Sequence, residues 1–320
     1  LSVNFPEAEF DERPYQQMVL EKTAHTHHVS YEVDEKMFLS YLDDIWKAMD
    51  QPSIDGVNSY FVSKCANENG LKAVLSGLGA DEYFGGYQSF SRIALLPALR
   101  ILPFKSWWGR LMGLIQPSFD RLTYLQLEGA VGDYLFLRGL HTPDTIARLL
   151  GMDKKKVFHI LKKVTVQVPP ALTSGQYASF LESEIYMSNQ LLKDTDCMSM
   201  WHALEVRVPF LDQPLLELTK TISPAIRFKK TSPKYLLTES FKTILPHSIV
   251  FRKKQGFTFP FKIWFRNNLS FFKQSVEPHG ESNRIFSEFD SGKMHWTKPW
   301  SLLVMKQFES KLLSTLKKGQ

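Results

Sequence analysis

Alternation and periodicity divide the chain into two unlike parts. Leu1 to Phe5 alternates as a short strand does. Asp11, followed by Glu12 and Pro14, caps a predicted amphipathic helix running to Ala24. Valine and tyrosine between His28 and Val33 predict a second strand. Asp34 opens a helix on which Met37, Phe38, Tyr41, Leu42, Ile45 and Trp46 recur at three and four residues. Asp55 opens another, which stops near Asn69 and Gly70. Lys72 to Ser76, apolar through Ala73, Val74 and Leu75, predicts a third strand buried on both faces. This alternation of strand and helix predicts a parallel α/β sheet with right-handed crossovers.

After Tyr87 the pattern changes. Residues 91–139 are rich in Leu, Trp, Phe and Pro without a clear strand, and they read as a helical insertion. Thr142, Pro143 and Asp144 start a helix, and Pro169-Pro170 close the region. Further helices are predicted over Gln176–Leu192, over Pro214–Thr221 behind Asp212, and over Pro233–Leu245 behind Ser232. The expected organisation is a partial α/β nucleotide-binding core (1–90), a variable helical insertion (91–175) and a helical part completing the active site (176–320). Three strands are few for a doubly wound core, so further sheet is expected before residue 1.

Composition narrows the class. With 320 residues, 43% hydrophobic and 22% charged, the chain is globular rather than disordered. A net charge of +6 suits an anionic ligand without proving one. The basic residues are dispersed and match no nucleic-acid motif, so no nucleic acid partner is expected. Cys65 and Cys197 are the only cysteines, at no metal-binding spacing, which predicts a reducing, cytoplasmic setting. No apolar run reaches the roughly 18 residues of a membrane span, so no membrane partner is expected.

Three segments carry candidate chemistry. Ser76-Gly77-Leu78-Gly79-Ala80-Asp81-Glu82 follows the third strand, where open α/β sheets place ligands. Gly77 and Gly79 permit a tight turn with outward N–H groups, which suits phosphate oxygens; Asp81 would then require an intervening cation such as magnesium. A glycine-rich turn with a capping Asp fits the same residues. Asp194-Thr195-Asp196 with Glu205-Val206-Arg207 places acids and an arginine in a Met- and Val-rich stretch, as the wall of a site or as a buried ion pair. Arg252-Lys253-Lys254 precedes Gly256, as a loop reaching an anion or as a solvated basic face.

Together, in this order, the segments closely resemble the synthetase domain of the glutamine-hydrolysing asparagine synthetase family. That family's patterns are S-G-x-G-[AGS]-D-E-x-F-G-G-Y, then D-R-M-S-M with L-E-V-R-V-P-F-L-D, then R-x-K-x-x-F. Val3-Asn4-Phe5, Asp11-Glu12 and His27-His28 also match. The resemblance covers essentially the whole chain and is weakest over 91–170 and after 268. It implies an adenine-nucleotide α-hydrolase (PP-loop) sheet, incomplete at its N-terminus, followed by a mostly helical remainder. It also implies ATP and Mg2+, adenylation of the aspartate side chain, and attack by ammonia from a glutaminase domain. Carried over residue by residue, it places Val3, Ser76 and Gly77 at the adenosine end of ATP and Asp81 on the magnesium ion. Lys254 falls on the catalytic lysine that contacts pyrophosphate, and Asp196 and Arg207 on a candidate site wall.

Three departures qualify the resemblance. The family's S-G-G-x-D-S pyrophosphate loop does not occur and is expected to precede residue 1. The glutaminase domain with its terminal cysteine does not occur either, so the 320 residues alone are expected to be inactive. Leu78 stands where asparagine synthetases carry Glu, and Cys197 where they carry Arg. An apolar residue cannot replace a carboxylate in proton transfer, which opens the reading of a related amidotransferase or macrolactam-forming synthetase with a non-aspartate carboxylate. A non-catalytic module retaining the fold is the reading outside enzymes. The oligomeric state is left open, with a homodimer as one option.

Overall fold

The computed structural model describes residues 1–23, 27–101, 103–113, 117–250 and 258–318. Among the described residues, four short strands form two separate parallel ladders. β1 (Ser2–Asn4) pairs with β2 (Ser30–Glu32), with Val3 opposite Tyr31. β3 (Ala73–Leu75) pairs with β4 (Glu205–Arg207), with Val74 opposite Val206. A complete PP-loop sheet is not formed among the described residues. The predicted third strand forms, but not buried on both faces: Leu75 is 75% exposed because it faces an open cavity. β4 lies in a segment for which no strand was expected.

The crossovers are helical. α1 (Arg13–Thr23) follows Asp11, whose carboxylate accepts the Arg13 backbone N–H at 3.0 Å. α2 (Glu35–Ser40) is capped by Asp34, which accepts the Met37 N–H at 2.7 Å. α3 (Leu42–Ala48) continues it after a break at Tyr41. α4 (Gly56–Glu68) returns the chain to β3. α5 (Ala80–Phe84) opens directly from the loop after β3.

The predicted helix over 176–192 is the middle of a longer rod. It starts at Ser174 behind a Thr173–Gln176 capping box, widens to π geometry over Leu181–Leu191, and returns to α over Leu192–Trp201. Ser188 Oγ reaches the Ser183 carbonyl at 2.8 Å, spanning the five-residue step of the widened turn. The helix expected from Pro233 instead runs over Tyr235–Ser240, because Lys234 adopts a left-handed φ of 52° that a helix cannot continue through.

Two hydrophobic clusters hold these parts. The larger joins Val3, Phe5, Phe38, Ile45 and Phe61 to Phe259, Trp264, Phe265 and Trp300, tying the first strands to the C-terminal helices. Phe5 and Phe259 meet edge-on at 4.7 Å between ring centres. The smaller gathers Phe90, Leu122, Phe136 and Leu181, so the middle helices share a core with the rod.

Candidate active site

The loop leaving β3 is fixed at both ends. Ser76 N–H donates to the Arg207 carbonyl at 2.8 Å, extending the ladder by one residue, and Ser76 Oγ accepts the Leu78 N–H at 3.3 Å. Gly79 has φ 93° and its N–H donates to Glu82 Oε2 at 3.1 Å. A Cβ there would stand 2.8 Å from Leu211 Cδ2, so both backbone and packing require glycine. Gly77 is different. Its φ lies outside the left-handed region and a Cβ would meet nothing within 4 Å, which leaves its backbone open to a ligand.

This loop forms one wall of a cavity of about 820 Å³. Ser76, Gly77, Leu78 and Asp81 line it; so do Asp55, Tyr87, Tyr186, Asp194 and Lys234. Lys234 Nζ lies 3.3 Å from Asp81 Oδ1. Gly86 backs this carboxylate so closely that a Cβ there would collide with Asp81 Oδ1. Val250 and Thr258, which flank residues 251–257, both line the same cavity. Lys254 falls on that segment and lies outside the described residues.

The inner end of the cavity is a polar network. Tyr87 donates to buried Glu82 at 2.6 Å, and Tyr186 donates to Asp55 at 2.9 Å. The Arg138 guanidinium lies against both rings, 3.6 Å from the Tyr186 centroid and 4.4 Å from that of Tyr87. Its Nε donates to buried Glu182 at 2.6 Å. Burial pushes both phenols up, reinforced by the neighbouring carboxylates, so they stay neutral hydrogen-bond donors. Asp194 is buried and accepts from Ser53 and, at 2.9 Å, from Gln51 Nε2. Burial pushes its carboxyl up to about 6 despite those donors. A second cavity of about 880 Å³ lies across Tyr87 and Pro233, which line both.

The sequence-predicted residues therefore separate into groups. Ser76, Gly77, Leu78 and Asp81 come together on one wall. Val3 has its side chain in the hydrophobic core and is not part of this lining. Asp196 and Arg207 are exposed and do not line the cavity either. Arg207 pairs with Glu205 at 2.9 Å, two residues away on the same face of β4, so neither reading of these residues as wall or buried pair describes them. Their neighbours Asp194, Thr195 and Val206 are the residues that reach the cavity. Sequence reasoning missed Lys234. No local signal marks it, because Pro233 before it reads as a helix start whereas Lys234 itself turns left-handed.

Residues 1–307 match the asparagine synthase family. Among similar proteins is asparagine synthetase [glutamine-hydrolyzing] 1 of Bacillus subtilis, 27% identical over 78% of this chain and 40% of its own length. A putative asparagine synthetase [glutamine-hydrolyzing] of Mycobacterium bovis is 26% identical over 75% of this chain and 38% of its own. Amidase chyE of Penicillium rubens is 25% identical over 72% and 39%. The chain thus spans about 40% of the length of these relatives. With that match and the loop, cavity and carboxylate described above, the chain belongs to the asparagine synthase family.

Proposed function

We propose that this chain is the synthetase part of an enzyme that activates a carboxylate with ATP and transfers it to nitrogen. The observation that carries the reading is the convergence on one cavity of the Ser76–Asp81 loop, Lys234 and both flanks of the segment holding Lys254. In this reading the open backbone at Ser76 and Gly77 receives the adenosine and α-phosphate end of ATP. Lys234 and Lys254 supply positive charge to the phosphates. The carboxylate oxygen attacks the α-phosphorus and pyrophosphate leaves; the nitrogen of ammonia or another amine then attacks the acyl carbon, the C–O bond to AMP breaks, and AMP leaves as the nitrogen gives up a proton. Lys254 steadies the negative charge on the departing pyrophosphate.

Magnesium fits the residues present. Asp81 offers one carboxylate on the cavity wall, and among the described residues no group of three potential ligands surrounds it. A Mg2+ ion held by one carboxylate and phosphate oxygens is the ordinary arrangement for nucleotide enzymes, and bound there it neutralises charge on the leaving group. Lys234 Nζ, 3.3 Å from Asp81 Oδ1, sets a positive charge beside the same carboxylate.

The acceptor is proposed as aspartate, with ammonia delivered by a glutaminase domain of a longer protein in the cytoplasm. Leu78 favours a second reading. It lines the cavity where the resemblance calls for Glu, so a carboxylate other than aspartate, including one that cyclises onto its own amine, suits this wall. The 320 residues alone are proposed to be inactive, since no S-G-G-x-D-S loop lies within them. Pyrophosphate release by the full-length protein, screened over carboxylates with ammonia or glutamine, tests both readings. Strict dependence on aspartate rejects the second; no release with any carboxylate rejects both and favours a non-catalytic module.

A further inference from the structure

From Tyr83 to Phe119 the sequence contains Arg92, Arg100, Lys105 and Arg110 and no Asp or Glu. Within this stretch the helix Lys105–Gly113 is held on one side. A Cβ at Gly109 would stand 3.1 Å from the Phe119 carbonyl oxygen and 3.3 Å from Leu122 Cβ, and one at Gly113 would collide with the Asp120 carboxylate. These glycines, four residues apart, form the face that packs on the following 3-10 turns, Pro117–Gln126. Trp107 and Leu111 are also four apart and lie roughly 160° round the helix from that face. Phe104 heads the same outward stripe. Its carbonyl accepts the N–H groups of Trp107 and Trp108 at 2.8 and 3.2 Å, and its φ of 52° is rare for an aromatic residue.

The stripe is open to solvent. Ile101 is 84% exposed, Phe104 80%, Trp107 57% and Leu111 45%. A cluster of this kind in so short a stretch marks an interaction surface rather than chance exposure. The charge pattern says which surface. Arg100 is answered by Asp133 at 2.7 Å, but the stretch itself offers no anion to its other cations. Aromatic and aliphatic tips beside Lys105, on a stretch whose sequence carries cations and no Asp or Glu, complement an anionic lipid interface, where tryptophan rings also settle.

We infer that this face docks on the surface of an anionic lipid bilayer, with Phe104, Trp107 and Leu111 seated at the boundary between headgroups and acyl chains. The contact lies in the membrane plane. The helix has nine residues, and none of the described helices is long and apolar enough to cross a membrane. The sequence expectation of no membrane partner considered spans alone.

Flotation of the full chain with vesicles tests this. The expected result is recovery with vesicles of phosphatidylcholine containing one-third phosphatidylglycerol and little recovery with phosphatidylcholine alone. Lys105→Ser should weaken partitioning about fivefold, the effect of one basic residue at an anionic surface. The double variant Phe104→Asp, Trp107→Asp should weaken it at least tenfold with an unchanged circular-dichroism melt, because both side chains are exposed. Absence of flotation with anionic vesicles overturns the inference, as does undiminished flotation of the double variant. Self-association in sedimentation velocity that the double variant abolishes would assign the face to a second copy instead.

Discussion

Gly77 and Gly79 sit two residues apart in one loop, yet the structure gives alanine opposite effects at the two positions. At Gly79, φ of 93° places an L-residue in the left-handed region, which costs about 1–2 kcal/mol. The new Cβ would also stand 2.8 Å from Leu211 Cδ2 and 3.1 Å from Phe210 Cβ. Leu211 can turn aside, but Phe210 Cβ moves only with its backbone, so overpacking adds about 1–3 kcal/mol. Gly79→Ala should therefore lose about 2–5 kcal/mol of stability in urea denaturation, the sum of those two ranges. At Gly77 the backbone is unstrained and the Cβ meets no protein atom within 4 Å, so the stability change should stay within about 0.5 kcal/mol. The methyl group would instead occupy the space through which a nucleotide reaches the loop. Gly77→Ala should weaken ATP binding in calorimetry at least tenfold on the full-length protein. The reasoning fails if Gly77→Ala unfolds the protein, if it binds ATP like the parent, or if Gly79→Ala is neutral in stability.

Other consequences are equally specific. Lys234→Ala should raise the KM for ATP at least tenfold while leaving the thermal melt near the parent's, since Lys234 is part-exposed and its Asp81 partner retains solvent; an unchanged KM would remove Lys234 from the phosphate site. Asp194 has its folded carboxyl pushed up to about 6 from an ordinary value of 3.8. Its contribution to stability is thus fully present below pH 4 and declines as pH rises through 6, by about 3 kcal/mol. Asp194→Asn should flatten that decline in urea melts taken at pH 4 and 7.5, and a variant with the parent's slope would refute the assignment. Arg138→Met leaves Glu182 buried without its partner and should destabilise by about 3–5 kcal/mol. Adding Glu182→Leu should recover most of that loss, and failure to recover would show that the two tyrosine contacts of Arg138 dominate.

What the sequence made legible follows from the range of the interactions involved. The β3 loop was readable because an apolar run, two glycines and a following helix are all local. β4 was not readable, because Glu-Val-Arg becomes a strand only by pairing with Ala73–Leu75, more than a hundred residues away. The exposure of Arg207 was nonetheless encoded. Glu205 and Arg207 are two apart, so in any extended conformation they share a face and can neutralise each other without burial. The sequence reading carried Asp196 as the wall residue, whereas Asp194, four before Met198 on the same helix and buried with it, is the acid that turns inward. The left-handed turn at Lys234 had no local signature, since neither proline nor lysine favours it. It persists where Lys234 can reach Asp81.

The same distinction separates the two described flanks of residues 251–257. Its C-terminal flank is set by aromatic packing rather than by charge. Phe259 follows Thr258 directly and is buried edge-on against Phe5 at 4.7 Å and Trp264 at 5.9 Å. Phe38 stacks on Trp264 at 5.3 Å, so the first strand, the second helix and the C-terminal helices grip one end of the segment together. At the other end Val250 belongs to a four-residue helical turn, His247–Val250, with no buried residue. One flank is therefore anchored in the largest core of the protein while the other rests on a surface turn.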